Sequence, residues 1–274
     1  LPQCKWRIAK IDVFNNMSRY SAEYYEDYRQ ACASHWWFRG REAVLRAFVS
    51  KVADLASGNH AVFDIGSGPG GPTAAVFPGR RITAVDLDLE TLQAYVPADT
   101  RIVADGSRLP LQRGSVGVLC AFDVLEHLED DAEALRHWRE VLAPGGWLVI
   151  TVPAYESLWS SHDDVNGHHR RYRARILRKR LEETGFSVLT LTYFNTFLLP
   201  AIALARFYQR LRGDKSVANG DPGHVETDFS RRLPAPIEQC FEKFFSWESH
   251  IVRRWNLPAG VSLGVIARPC AERA

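Results

Sequence analysis

The ten residues 62–71, VFDIGSGPGG, constrain this chain more than any other stretch. An apolar run ending in Asp-x-Gly-x-Gly reads as a buried strand that empties into a tight turn. Only residues without a Cβ let the backbone bend so sharply and bring its N–H groups against a ligand. Gly66, Gly68, Gly70 and Gly71 supply that freedom, with Ser67 between the first two. The next apolar run, ITAVD, closes at Asp86, at the distance where an acid accepts the hydroxyls of a ribose. Gly66, Gly68 and Gly71 also satisfy the G-x-G-x-x-G fingerprint of dinucleotide sites, so the glycines alone do not distinguish between nucleoside cofactors. Asp64 does: a carboxylate just ahead of the first glycine suits a cofactor carrying an ammonium group better than one carrying a pyrophosphate.

From this loop onward, strand and helix patterns alternate. Strands are expected at 61–65, 81–85, 101–104, 116–121, 146–152, 186–193 and 261–267, with helical or loop crossovers between most of them. That rhythm implies a parallel sheet covered on both faces. A long insertion separates the last two candidates, an arrangement that commonly returns the final strand antiparallel. The expected fold is therefore α/β: a Rossmann-like, seven-stranded, mostly parallel sheet with helices on both faces and an antiparallel last strand. N-terminal helices precede it, and a helical insertion interrupts it before the last strand. With 274 residues and 46% hydrophobic content, one substantial core is expected. Residues 1–60 read as an N-terminal segment and helical cap, and 61–274 as the cofactor domain with a helical lid at 194–257. Met17, the only methionine, is a candidate native start, which would leave residues 1–16 outside the native chain. Aromatic residues crowd the cap, at Tyr20, Tyr24, Tyr25 and Tyr28 and again in HWWFRGR at 35–41.

Several classes of function are disfavoured by composition. A net charge of +2 demands no polyanionic partner. Five cysteines, at 4, 32, 120, 240 and 270, form no C-x-x-C pair, which argues against a zinc knuckle or a disulfide framework and for a reducing cytoplasm. No run of roughly 18 apolar residues suggests a bilayer span. The basic run HHRRYRARILRKRLEETGF raises nucleic acid as a partner. Leu177 and Leu181, four apart, give it the stripe of an ordinary surface helix ending at Gly185, with Arg175, Arg178 and Lys179 solvated. Nucleic acid is therefore not the expected partner.

Residues 61–193 resemble the class I S-adenosylmethionine (SAM)-dependent methyltransferases of the type 11 group. The resemblance rests on five motifs in order: VFDIGSGPGG, ITAVDLD, RIVADGSRLPL, VGVLCAFDVLEHL and LAPGGWLVITVPAY. It implies SAM as cofactor, with S-adenosylhomocysteine as product. It also implies Asp86 and Leu87 at the ribose, Asp105 and Gly106 at the adenine, Asp64 with the Gly66–Gly70 backbone at the methionine moiety, and Phe122 and Asp123 near the sulfonium. Asp64 and Asp105 have a plainer reading as loop caps, and Phe122 as simple core packing. Arg39 or Arg41 could clamp the methionine carboxylate, since a guanidinium matches that group bidentately; surface arginine explains either equally well.

Methyl transfer needs little beyond alignment of two reactants and exclusion of water, although a hydroxyl acceptor gains from a general base such as histidine. The candidates are His127, His162, His168 and His169. In ESLWSSHDDVNGHHRRY, which follows the fifth strand, His162, Asp163, His168 and Tyr172 are the substrate-side expectations. Asp123, Glu126 and His127 stand at i, i+3 and i+4, so a helix there would gather them on one face as a metal site, with His162 or His168 as a fourth ligand. The expectation is nevertheless that no metal is needed. The acceptor is expected to be a small or lipophilic molecule, methylated on oxygen by preference and on carbon or nitrogen as alternatives. The aromatic-plus-basic segments at 193–212 and 241–255 read as lid or core, as a homodimer contact, or as a peripheral membrane surface. The rival functions are a nicotinamide-dependent oxidoreductase and a noncatalytic partner subunit of the same fold.

Overall fold

The computed structural model describes residues 30, 35–68, 70–94, 98–211 and 234–271. The expectations placed on residues 1–16 and on Tyr20, Tyr24, Tyr25 and Tyr28 lie outside the described residues. Seven strands form one sheet in the order β3-β2-β1-β4-β5-β7-β6. They are β1 (Val62–Ile65), β2 (Ile82–Asp86), β3 (Thr100–Val103), β4 (Val116–Phe122), β5 (Leu142–Pro153), β6 (Phe186–Phe194) and β7 (Ser262–Pro269). β1 to β5 pair in parallel, and β7 runs antiparallel between β5 and β6. The chain order reverses between β1 and β4, so their carboxyl ends open the crevice in which a doubly wound sheet takes its ligand.

Strand alternation divides the core into two layers. Leu119 and Ala121 of β4, with Leu148, Ile150 and Val152 of β5, pack against Ala134, Leu135, Trp138 and Val141. The intervening residues Val118, Cys120 and Phe122, with Trp147 and Val149, pack on the other face against Val44, Leu45 and Phe48. The helices that cover the sheet are α1 (Trp36–Val49), α2 (Ala53–Ser57), α3 (Thr73–Val76), α4 (Leu89–Ala94), α5 (Asp131–Val141), α6 (Ser161–Asn166), α7 (Ala174–Glu183), α8 (Leu199–Leu211) and α9 (Ala235–Arg254). Leu177 and Leu181 of α7 are both fully buried, and Arg178 and Lys179 sit outside in i,i+4 pairs with Glu182 and Glu183.

The HWWFRGR segment begins α1 and docks on α9, some 200 residues away. Trp36 stacks on Phe241 with ring centroids 4.8 Å apart, and Trp37 meets Phe245 edge-on at 5.5 Å. Gly40 permits the approach, since a Cβ there would lie 2.6 Å from the Phe245 side chain. About one turn beyond Phe245, the buried Glu248 accepts the Thr196 N–H at 3.1 Å, tying the helix to the end of β6. Among the described residues no helix is long and apolar enough to cross a membrane.

Candidate active site

The carboxyl ends of β1, β2 and β4 supply one half of the site. After Ile65 the backbone turns through left-handed Gly66 (φ +62°) and Gly68 (φ +58°), conformations that cost a residue bearing a Cβ about 1–2 kcal/mol. At Gly66 a Cβ would also meet Val124 Cγ2 at 2.6 Å. The loop is held by the acid that ends β2. Asp86 accepts the Gly68 N–H at 2.9 Å through Oδ2 and the Asp88 N–H at 3.1 Å through Oδ1. Burial raises the Asp86 carboxyl above its ordinary range, against the lowering effect of those N–H groups. Asp105 is exposed after β3 and spends one oxygen on the Ser107 N–H at 2.8 Å. The Gly106 carbonyl accepts the Trp138 indole N–H at 2.7 Å, which fixes that loop to α5. Leu87 is 43% exposed beside Asp86.

A cavity of about 490 Å³ begins at this loop and runs under α1 and α8. Asp64, Gly66, Ser67, Gly68, Phe122 and Asp123 line one wall; Trp36, Trp37, Phe38, Leu158, Leu198 and Ile202 line another. Asp86, Leu87, Gly70, Asp105 and Gly106 lie off that wall. Left-handed glycines and an acid already oriented by backbone donors are the features a nucleoside cofactor requires, and the residues present fit SAM.

The second half of the site is polar. Asp123, itself left-handed at φ +57°, takes Arg41 Nη2 on Oδ2 at 2.5 Å and the Thr151 hydroxyl on Oδ1 at 2.9 Å. Arg41 is thus on the cavity wall but engaged with a carboxylate of the chain. Arg39 instead pairs with Glu242 at 2.8 Å, with roughly half of its side chain exposed, and is not part of the wall. A surface pair of this kind contributes about 1 kcal/mol or less. Arg39→Ala should therefore leave S-adenosylhomocysteine affinity within about twofold, measured by calorimetric titration; a tenfold loss would return Arg39 to the cofactor.

Three further expectations need correcting. First, residues 123–127 are not one face of an α-helix. The positive φ of Asp123 breaks the chain, and only a 3-10 turn, Leu125–His127, follows. Asp123 is therefore directed to Arg41 and Thr151, whereas Glu126 and His127 group with His168, their ligand atoms all within 4.8 Å of one another. Second, Tyr172 does not face the cavity. It is 2% exposed and its hydroxyl donates to Asp131 Oδ2 at 2.9 Å, in the layer beneath α5 and α7. Burial, then the Asp131 charge, pushes its pKa well above the ordinary phenol range. Tyr172→Phe should lower stability by about 1.5–3 kcal/mol, the worth of a hydrogen bond to a charged group, and leave turnover per folded molecule unchanged. A tyrosine acting in catalysis would lose turnover at constant stability. Third, His169 lies outside the cavity wall, its N–H donating to the Glu126 carbonyl at 2.8 Å. The side chain of His162 falls outside the described residues.

His168 is positioned by a buried ionic core. Its Nδ1 lies 2.8 Å from Asp163 Oδ1. The same carboxylate accepts Arg171 Nε at 2.7 Å and Nη2 at 3.0 Å, and the Ser160 N–H at 2.9 Å. Burial would raise Asp163, but His168, Arg171 and Ser160 together hold it well below the usual carboxylate range. Arg171 carried no sequence signal, because one arginine in a basic run looks like its solvated neighbours. Glu126 is fully buried with neither carboxylate oxygen hydrogen-bonded. Burial, then nearby Asp123, pushes it well above the usual carboxylate range.

The family model described as a methyltransferase domain matches residues 37–191, from the start of α1 through most of β6. The chain belongs to the methyltransferase family. Its cofactor class is SAM, in keeping with the cradle. A probable SAM-dependent methyltransferase of Mycolicibacterium smegmatis is 30% identical over 161 residues, 56% of this chain and 60% of the relative. A ubiquinone biosynthesis O-methyltransferase of Bordetella bronchiseptica is 30% identical over 139 residues, 44% of this chain and 57% of the relative. The methyltransferase chain thus spans less than two thirds of these curated relatives. Among solved structures, phosphoethanolamine N-methyltransferase 2 of Haemonchus contortus in complex with SAM superimposes with a TM-score of 0.57 at 16% identity, covering 93% of this chain and 59% of that one. That likeness concerns the fold.

Proposed function

We propose that this methyltransferase moves the methyl group of SAM to a small or lipophilic acceptor, on oxygen by preference. The observation that carries the reading is one continuous cavity, with the glycine loop on one wall, aromatic and aliphatic side chains on another, and His127 and His168 on its surface. When bound, SAM supplies an electrophilic methyl on a positively charged sulfur. Asp86 would receive the ribose hydroxyls, the Gly66–Gly70 backbone and Asp64 the methionine moiety, and Asp105 with Gly106 the adenine. Phe122 and Asp123 would face the reacting end. Arg41 holds Asp123 in place and keeps α1 over the cavity. Trp36, Trp37 and Phe38 exclude water and offer apolar surface to the acceptor, the composition expected of a small-molecule pocket. The polar cluster at Glu126, His127 and His168 is the region where an acceptor hydroxyl would be made more nucleophilic. An amine that is already neutral needs no such assistance, and this favours oxygen. The Bordetella relative, a ubiquinone biosynthesis O-methyltransferase, agrees with that preference.

The test is calorimetric titration with S-adenosylhomocysteine and with NADH, followed by an S-adenosylhomocysteine release assay over lipophilic phenols, catechols and amines. S-adenosylhomocysteine should bind and NADH should not, and hydroxyl acceptors should turn over. NADH binding would support the oxidoreductase alternative. Cofactor binding with no turnover on any acceptor class would support the noncatalytic partner subunit.

A further inference from the structure

We propose that Glu126, His127 and His168 form a binding site for a divalent first-row transition cation on the acceptor side of the cavity. The three residues come from two separate segments, the 3-10 turn after β4 and the loop between α6 and α7. Each offers one ligand atom, and the three atoms lie within 4.8 Å of one another. An ion about 2.1 Å from each would hold them roughly 3.4 Å apart, so closure needs the side chains to move inward by no more than about 1 Å. The rings of His127 and His168 already meet edge to face, with centroids 4.6 Å apart.

A second observation is independent of this proximity. The Glu126 side chain is fully buried on the cavity wall, and neither carboxylate oxygen has a hydrogen-bond partner. Buried polar groups are nearly always satisfied, and one left unsatisfied calls for an explanation such as an ion. A third observation concerns His168. Its Nδ1 is engaged by Asp163 Oδ1 at 2.8 Å, which directs Nε2 to any ligand; a carboxylate behind a metal-binding histidine fixes its tautomer and orientation in the same way. The charges around Glu126 favour a cation. Arg41 is paired with Asp123 and Arg171 with Asp163, so these nearby guanidinium groups are matched by their own carboxylates and neither hydrogen-bonds Glu126.

Two imidazoles and one carboxylate select a first-row transition ion over magnesium or calcium, and three protein ligands leave coordination positions open. The role of the ion rests on the O-methylation reading. An acceptor hydroxyl taking an open position would be acidified and would release its proton to water. Its oxygen then forms the new bond to the methyl carbon as the carbon–sulfur bond breaks, giving a methyl ether, S-adenosylhomocysteine and one proton. The existence of the site does not depend on that role.

The experiment uses the full chain stripped with EDTA and then dialysed. Mn²⁺ is titrated and counted by electron paramagnetic resonance, and Co²⁺ binding is followed by visible absorption. Wild type should take up one ion per chain, with Co²⁺ bands indicating nitrogen ligation. Glu126→Gln and His168→Gln should each weaken Mn²⁺ binding at least tenfold, with thermal unfolding reporting that each variant is folded. If one variant fails to fold, the other and the wild-type Co²⁺ spectrum decide. No stoichiometric uptake of either ion, a Co²⁺ spectrum without nitrogen ligation, or equal Mn²⁺ affinity in wild type and a folded variant would overturn the site. A parallel titration of wild type with S-adenosylhomocysteine keeps the two readings apart. Its failure would sink the methyltransferase function and leave the metal result standing, whereas cofactor binding without metal would sink the site alone.

Discussion

Replacing Asp86 by alanine should weaken S-adenosylhomocysteine binding about 100-fold while the chain stays folded. The carboxylate is held at the end of β2 by the N–H groups of Gly68 and Asp88, so its remaining lone pairs are presented to a ligand without a cost in side-chain ordering. Two ribose hydroxyls donating to a charged acceptor are worth about 1.5–3 kcal/mol each, and roughly 3 kcal/mol in total already corresponds to two decades in affinity. The fold should tolerate the change because burial disfavours the ionised carboxylate, and removing it offsets part of the lost hydrogen bonding. The raised pKa gives a second readout. The ribose prefers the ionised form, so lowering the pH should weaken wild-type binding as Asp86 takes up its proton, starting above the ordinary aspartate value of about 3.9. In Asp86→Asn that component of the pH dependence should vanish. Calorimetric titration across the pH range measures both effects, and an affinity unchanged in Asp86→Ala would remove Asp86 from the cofactor site.

The sheet was legible because each of its signals is local. Runs such as ITAVD and VGVLCAF are mostly apolar, as expected of strands covered on both faces, and the strand ends fall within a few residues of the expected ones except at β5. That strand starts at Leu142 rather than near 146, because β4 shifts register between Val116 and Val118 and lets Val116 pair with Leu142. The glycine loop was legible for the same reason: a positive φ leaves glycine as its trace. Contacts across long separations leave no such trace. Nothing in HWWFRGR specifies FEKFF as its partner, although Gly40 and Phe245 fit closely once they are brought together. Orientation was equally hidden at Tyr172, since a tyrosine after a strand reads alike whether it faces a cavity or, as here, an aspartate beneath the next helix. Periodicity misled at residues 123–127, where the i, i+3, i+4 spacing presumed a helix that the left-handed Asp123 interrupts. His168, one of the two histidines expected as a further ligand, does join Glu126 and His127, from 41 residues beyond His127.

Asp163→Asn should destabilise the protein by about 3–5 kcal/mol, more than Tyr172→Phe. Asp163 is completely buried and accepts from Arg171 through two nitrogens, from the Ser160 backbone and from His168. Its amide replacement keeps the shape but turns one acceptor into a donor facing donors. Arg171, with only 8% of its side chain exposed, would be left as an uncompensated buried charge, the condition that makes breaking a buried pair so costly. Removing both charges avoids that condition. The double variant Asp163→Asn, Arg171→Met should therefore be more stable than Asp163→Asn alone, a coupling that a double-mutant cycle in urea isolates. A loss below about 1 kcal/mol in the single variant, or additive losses in the pair, would show that the ionic core does not hold the loop. The core has a functional consequence because His168 hangs from the same carboxylate. If Asp163 sets that ring, Asp163→Asn should also lower turnover in the fraction that remains folded, and Ser160→Ala, which leaves the carboxylate, Arg171 and the backbone N–H of residue 160 in place, should not.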